Sequence, residues 1–175
     1  MGLRKFKCYR KVKRAYTRNS KYKKKAFIKT VPHSKIAKFD DGNLTKKFEY
    51  QLDLKAKEPH QIRHNALESS RILIVHKLDK IVGVLGYYLK LRVYPHHVLR
   101  ENKMLAGAHA DRLQKGMQKS FGRPIGIAAQ IKKDQPIFSL FIDKTNLDKA
   151  KKTLEGAGPR LPSRYYLDIH KEVSQ

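Results

Sequence analysis

The spacing of apolar positions changes several times along the chain, and each change marks an element. From about Glu58, Ile62, Ala66, Leu67, Leu73, Ile74, Leu78 and Ile81 fall on one broad face, the period of an amphipathic helix. Pro59 suits its first turn and Gly83 its end. After Gly86 the period shortens to two. Tyr87, Leu89, Leu91 and Val93 alternate with Tyr88, Lys90, Arg92 and Tyr94, which predicts a half-buried strand with an outward row of Tyr, Lys, Arg and Tyr. Pro95 interrupts the run, and His97 to Glu101 continue it as an edge strand after a bulge.

Further on, Ile125, Ile127, Ala129 and Ile131 alternate with smaller or polar residues, Lys133 to Pro136 read as a turn, and Ile137 to Ile142 are almost wholly apolar. This predicts a hairpin with a buried second strand. Thr145 or Asn146 caps a second helix along Leu147, Ala150, Lys151, Leu154 and Ala157, which Gly156, Gly158 and Pro159 stop. Tyr165 to Ile169 read as a last strand. The sum is an α+β domain with two helices over one face of a mostly antiparallel sheet. No internal repeat is evident.

Two stretches follow neither period. Residues 1–39 place Phe6, Tyr9, Tyr16, Tyr22, Phe27 and Phe39 among bases without helical or strand spacing. Residues 102–124 carry Gly107, Gly116 and Gly122 with Lys103, Arg112, Lys115, Lys119 and Arg123, opposed only by Asp111. A stretch of that length inside a compact domain is usually functional or disordered. The competing reading is a short core helix around Met104 to Met117, with a stripe of Met104, Leu105, Ala108 and Leu113. The expected organisation is a basic arm over 1–39 and one α+β domain over 40–175 with a functional loop at 102–124.

Charge then decides the class of partner. The chain has 175 residues, 40% of them hydrophobic, with 40 Lys or Arg against 15 Asp or Glu, a formal charge of +25. That is enough apolar material for a core, and a charge that calls for a polyanion. Residues 1–39 hold 15 of the bases and no acid; the remainder hold 25 bases and all 15 acids. Tyr interleaved with Arg and Lys offers stacking and hydrogen bonding as well as charge, so the arm reads as one that folds against RNA. The alternative is a disordered solubilising tail. The longest stretch without a charged residue, Ile81 to Leu89, is nine residues, far short of the roughly 20 that a spanning helix needs. Neither a secretory signal nor a myristoylation motif is expected, Phe6 standing where the latter wants Ser or Thr, so the expectation is a cytoplasmic protein with no membrane partner. A single cysteine, Cys8, forms no internal disulfide, and the Asn43-Leu44-Thr45 sequon has no meaning in that compartment.

Catalytic chemistry finds no constellation. The chain has neither a phosphate-binding P-loop nor a dinucleotide-binding glycine turn. His60 and His64 lie four apart on the predicted helix, but no Glu stands between them in the metalloprotease pattern and no third ligand is identifiable. His96 and His97 with a neighbouring Lys suggest a metal-independent nuclease pair, yet adjacent strand residues point to opposite faces. No catalytic residue, cofactor or metal is expected.

The run Val93 to Leu105, followed by Ala110 to Met117 and Phe121-Gly122-Arg123-Pro124, closely resembles a universal family of large-subunit ribosomal proteins, L-ten-e in archaea and eukaryotes and L-sixteen in bacteria. Lys7 to Arg10, Ala15 to Arg18, Val31-Pro32 and Lys35 to Asp40 are similar to the same family in the same order, in an archaeal style. The resemblance implies an α/β-hammerhead-like fold and a non-enzymatic role. It implies binding to large-subunit ribosomal RNA near the peptidyl-transferase centre, neighbouring ribosomal proteins as further partners, and a loop that reaches toward tRNA acceptor arms to support accommodation. That loop here is Ala108, His109, Ala110, Asp111, Arg112, Leu113, Gln114, Lys115, Gly116 and Met117. His109 departs from the small residue usual in the family.

The candidate ribosomal-RNA contacts are then Arg4, Lys7, Tyr9, Arg10, Lys13, Arg14, Tyr16, Arg18, Lys21, Lys23, Lys24, Lys25 and Lys35 on the arm, with Lys90, Arg92, Tyr94, His96 and Arg100 from the strand region. The alternatives are a general nucleic-acid-binding protein or RNA chaperone, and a ribonuclease.

Overall fold

The computed structural model describes residues 5–12, 14–17, 22, 28, 30–102 and 122–171. Its strands are β1 (Asp40–Gly42), β2 (Tyr50–Ala56), β3 (His60–Arg63), β4 (Tyr87–Leu91), β5 (His97–Glu101), β6 (Arg123–Ile131), β7 (Pro136–Ile142) and β8 (Tyr165–Lys171). Among the described residues two helices, α1 (His64–Ile81) and α2 (Leu147–Glu155), complete the α+β architecture. A five-stranded sheet has the order β1-β4-β7-β2-β8 and a three-stranded sheet the order β3-β6-β5. Every pairing is antiparallel. Among the described residues no helix is long and apolar enough to cross a membrane.

The alternating positions of β4 do what their period requires: Tyr87, Leu89 and Leu91 are all buried, as is Val93 just beyond the strand. They meet Leu52, Leu54 and Ala56 of β2, Phe138, Leu140 and Ile142 of β7, and Leu67, Ile74 and Leu78 of α1 in one continuous core, with Ala150 and Leu154 of α2. The three-stranded sheet contributes Ile62, Ala129 and Ile131 to that core. Each fully buried aliphatic side chain here is worth about 1.5–3 kcal/mol relative to exposure.

Four expectations are corrected. The first helix begins at His64, not near Glu58, because residues 60–63 form β3 and pair with Ile131 to Ala128 of β6. Ile62 satisfies both periods, being fully buried from a strand as it would be from a helix. Next, the predicted hairpin does not pair with itself. Asp134, at φ 60°, turns the chain between sheets, its N–H donating to Ala56 O at 2.8 Å, so β6 lies between β3 and β5 while β7 lies between β4 and β2. His97 to Glu101 are an edge strand as expected, but of the three-stranded sheet rather than a continuation of β4. Finally, the outward row of β4 is half closed. Tyr88 is 8% exposed, stacked on Phe141 at 5.2 Å with Phe48 beside them, and it donates to Asp40 at 2.7 Å. Burial and that carboxylate push its phenol up to about 12.

No element is predicted for residues 40–57, which hold β1 and β2. Gly42 ends β1 at φ +91°, and a Cβ there would stand 2.2 Å from Tyr87 O, so only glycine fits the join with β4. The second helix needs no side-chain cap: a 3₁₀ turn over Lys144–Asn146 leads into it. The predicted loop at 102–124 overruns into β6, which begins at Arg123, so Arg123 and Pro124 belong to that strand.

Candidate nucleic-acid interface

The arm is held on the three-stranded sheet by its backbone. Gln61, 3% exposed on β3, donates from Nε2 to Tyr9 O and to Lys11 O, both at 2.8 Å, while Gln130 of β6 donates to Gln61 Oε1 at 3.2 Å. A buried amide so occupied fixes the arm just at and after the 3₁₀ turn over Phe6–Tyr9. Tyr16 lies along β5: its N–H donates to His97 Nδ1 at 2.8 Å and its carbonyl accepts from Val98 N at 3.2 Å. Its ring packs on Ile28, Val98 and Ile127.

Two arginines cover the arm's rings. The Arg63 guanidinium carbon sits 4.7 Å from the Tyr9 ring centre and 6.0 Å from that of Phe6, and that of Arg100 sits 4.0 Å from that of Tyr16. Such contacts are worth about 0.5–1 kcal/mol at exposed sites.

Beyond Thr30 the chain crosses onto α1. Lys35 N–H donates to His64 Nδ1 at 3.2 Å, Ile36 enters the main core, and Ala37 N–H donates to Glu68 Oε2 at 3.4 Å. Arg71, 8% exposed, clamps both Glu68 oxygens at 2.9 and 2.6 Å and reaches Asp41 at 2.6 Å. The carboxylates hold the Arg71 guanidinium firmly charged, and Arg71 holds the Glu68 carboxyl below its ordinary value. Leu91 N–H then donates to Phe39 O at 2.7 Å, and Phe39 stacks on Tyr94 at 5.8 Å.

The residues expected from the sequence to touch RNA fall into three groups. Lys7, Arg10, Arg14, Lys35, Arg92, Tyr94 and His96 are exposed, Arg92 donating to Ser139 Oγ at 2.8 Å. Tyr9, Tyr16, Lys90 and Arg100 are half-buried, and the two tyrosines and Arg100 take part in the arm's docking. Arg4, Lys13, Arg18, Lys21, Lys23, Lys24, Lys25 and the loop residues 108–117 lie outside the described residues. The three strands and the described arm residues up to 38 contain one acid, Glu101.

The histidines separate. His96 is exposed, its Nδ1 against Tyr94 O at 3.1 Å, while His97 is turned to the arm. His60 lies on β3 rather than on a helix with His64, and its ring nitrogens meet Glu58 O at 2.7 Å and Tyr165 OH at 2.9 Å. Gln61, His97 and the Glu68–Arg71–Asp41 cluster are invisible to sequence reasoning as arm anchors.

The model of the family described as ribosomal protein L16p/L10e matches residues 17–167. A large ribosomal subunit protein uL16 of Methanospirillum hungatei is 45% identical over 157 residues, 90% of this chain and 89% of the relative. That of Staphylothermus marinus is 43% identical over 162 residues, 93% of this chain and 90% of its own. That of Methanococcus aeolicus is 42% identical over 172 residues, covering 98% and 96%.

Proposed function

The chain belongs to the ribosomal protein L16p/L10e family and is a structural constituent of the large ribosomal subunit rather than an enzyme, and from that premise we propose how it is held there. The arm and the three-stranded sheet bind large-subunit ribosomal RNA, with Lys7, Arg10, Arg14 and Lys35 on phosphates and Tyr94 as a stacking surface. The loop over 102–122 reaches tRNA acceptor arms and supports accommodation, with Arg112 and Lys115 on phosphate; peptide transfer stays with RNA. The protein works in the cytoplasm, bound to the ribosome.

The observation that carries the RNA reading is the docked arm. Gln61, His97 and His64 bond its backbone, so its exposed bases lie together with the nearly acid-free three-stranded sheet. Sucrose-gradient sedimentation at high salt tests it: the full chain stays with the large subunit, and a chain lacking residues 1–39 does not. A truncated chain retained like the full one would overturn the arm's role. A full chain that instead bound any duplex, with log affinity falling by about 0.9 per phosphate neutralised for each tenfold rise in salt, would favour a general nucleic-acid binder.

A further inference from the structure

We propose that Tyr16 is a positioning residue for the long loop: it braces the two strands from which that loop leaves, and so ties the loop's bearing to the arm. The proposal rests on the reading above that the loop serves tRNA accommodation. β5 and β6 are consecutive strands among the described residues, and the loop is the chain between them. They pair antiparallel from His97↔Ala128 to Glu101↔Arg123 and form its stem. β5 is a terminal strand of its sheet, paired with a strand on one side only among the described residues.

The loop end of this stem is its weaker half. The register shifts between Leu99 and Arg100, and such an irregularity breaks the ladder and bends the strand. Arg100 then stands across from Pro124, which has no N–H to give. Burial runs the same way: Gly126 to Ala129 of β6 are buried, whereas Arg123, Pro124 and Ile125 are exposed, Ile125 at 42%. Strand pairing and core packing therefore fix the stem near His97 and fade toward Glu101.

Tyr16 spans that gradient. Its main chain bonds His97 and Val98 at the well-packed end. Its ring packs on Val98 of β5 and Ile127 of β6, so one side chain touches both strands, and Ile28 joins the same cluster. Just beyond the irregularity, the Arg100 guanidinium lies over the ring at 4.0 Å, drawn there by the ring's negative face. Packed in this way and half-buried, the ring is occupied by the stem rather than open for a base to stack on. The arm's other anchor, Gln61, lies on β3 at the opposite edge of the sheet, so the arm meets both outer strands and a shift of the arm is passed to the stem.

The test compares Tyr16→Ala and Tyr16→Phe with the wild type, each as the full chain. Alanine removes the ring and keeps the main-chain bonds, whereas phenylalanine keeps the ring. In hydrogen exchange on the free chain we expect Tyr16→Ala to speed local opening of the 97–101 and 123–128 segments roughly tenfold, with α1 and β2 unmoved and Tyr16→Phe like the wild type. On ribosomes fully occupied by each variant, tRNA accommodation should slow severalfold for Tyr16→Ala and not for Tyr16→Phe. Stem exchange untouched by Tyr16→Ala, or raised equally in α1 and β2, would overturn the brace. A loosened stem with unchanged accommodation would overturn its link to the loop. Should Tyr16→Ala fail to enter the subunit, Val98→Ala, which trims the seat of the ring from the β5 side, carries the same two measurements. Unchanged accommodation in the Arg112→Ala, Lys115→Ala chain would instead sink the loop reading, and the proposal with it.

Discussion

At the scale of single residues, two histidines join the arm to the domain, and both do so only when neutral. His97 Nδ1 accepts from Tyr16 N–H and His64 Nδ1 from Lys35 N–H, so a proton on either nitrogen removes the acceptor. Burial, then nearby positive groups, lowers both pKa values below 6.5: His96 and Arg100 around His97, Lys35 and Arg63 around His64, with the His33 backbone opposing in the latter case. A depressed value means that the unfolded or undocked chain binds the proton more readily. The contribution to docking is therefore complete above the ordinary value of 6.5 and is lost as pH falls through the lowered, docked-state value. Hydrogen exchange at the Tyr16 amide, corrected for its intrinsic rate, should show protection at pH 8 that weakens toward pH 5. His97→Leu should abolish that protection at pH 8. Protection unchanged across this range would count against the anchor. That His96 and His97 diverge is legible from strand alternation alone. That His97 serves the arm is not, because its partner lies 81 residues away and belongs to no periodic element.

At the scale of elements, legibility follows how many physical demands a residue pattern answers. The β4 alternation, the apolar run of β7 and the stripe of α2 each have one solution, and the structure adopts it. Ile62 fits helix and strand equally, and only pairing with β6, some 67 residues on, decides for β3. The turn at Asp134 resembles a hairpin in sequence, but its outcome is set by Ala56 of β2, which bonds both Asp134 N–H and Gln135 O. β2 carries a period that sequence alone displays, since Leu52, Leu54 and Ala56 alternate with Gln51, Asp53 and Lys55 as cleanly as in β4. The long loop is the element whose role rests on composition and family alone. If Arg112 and Lys115 meet tRNA phosphate, replacing both by alanine leaves assembly intact and slows tRNA accommodation, by roughly tenfold if the two bases together supply about 1.4 kcal/mol. Stopped-flow measurement on fully occupied ribosomes checks this, and an unchanged accommodation rate would remove the loop from the pathway.

At the scale of the whole molecule, the +25 charge is organised by sheet. The described arm and the three-stranded sheet are nearly free of acids, whereas β2, β8 and their surroundings bring Asp53, Asp134, Glu155 and Asp168 close to the local bases. Net charge alone would make every surface lysine equivalent for RNA, while this division makes position decide. Replacing Lys7, Arg10 and Arg14 with glutamine removes three charges from the docked arm; replacing Lys144, Lys149 and Lys152 removes three from the α2 side. Both triples leave the chain at the same net charge, +22 after subtracting three from +25. Their binding to a large-subunit ribosomal RNA fragment should nevertheless differ. For the arm triple we expect weaker binding and a salt dependence shallower by roughly 0.7–0.9 log unit for each phosphate no longer neutralised, so about two units or more if all three bases reach phosphate. The α2 triple should keep the wild-type slope. Filter binding over a salt series measures both, and equal slopes for the two triples would mean that the chain binds RNA through its overall field rather than through the arm.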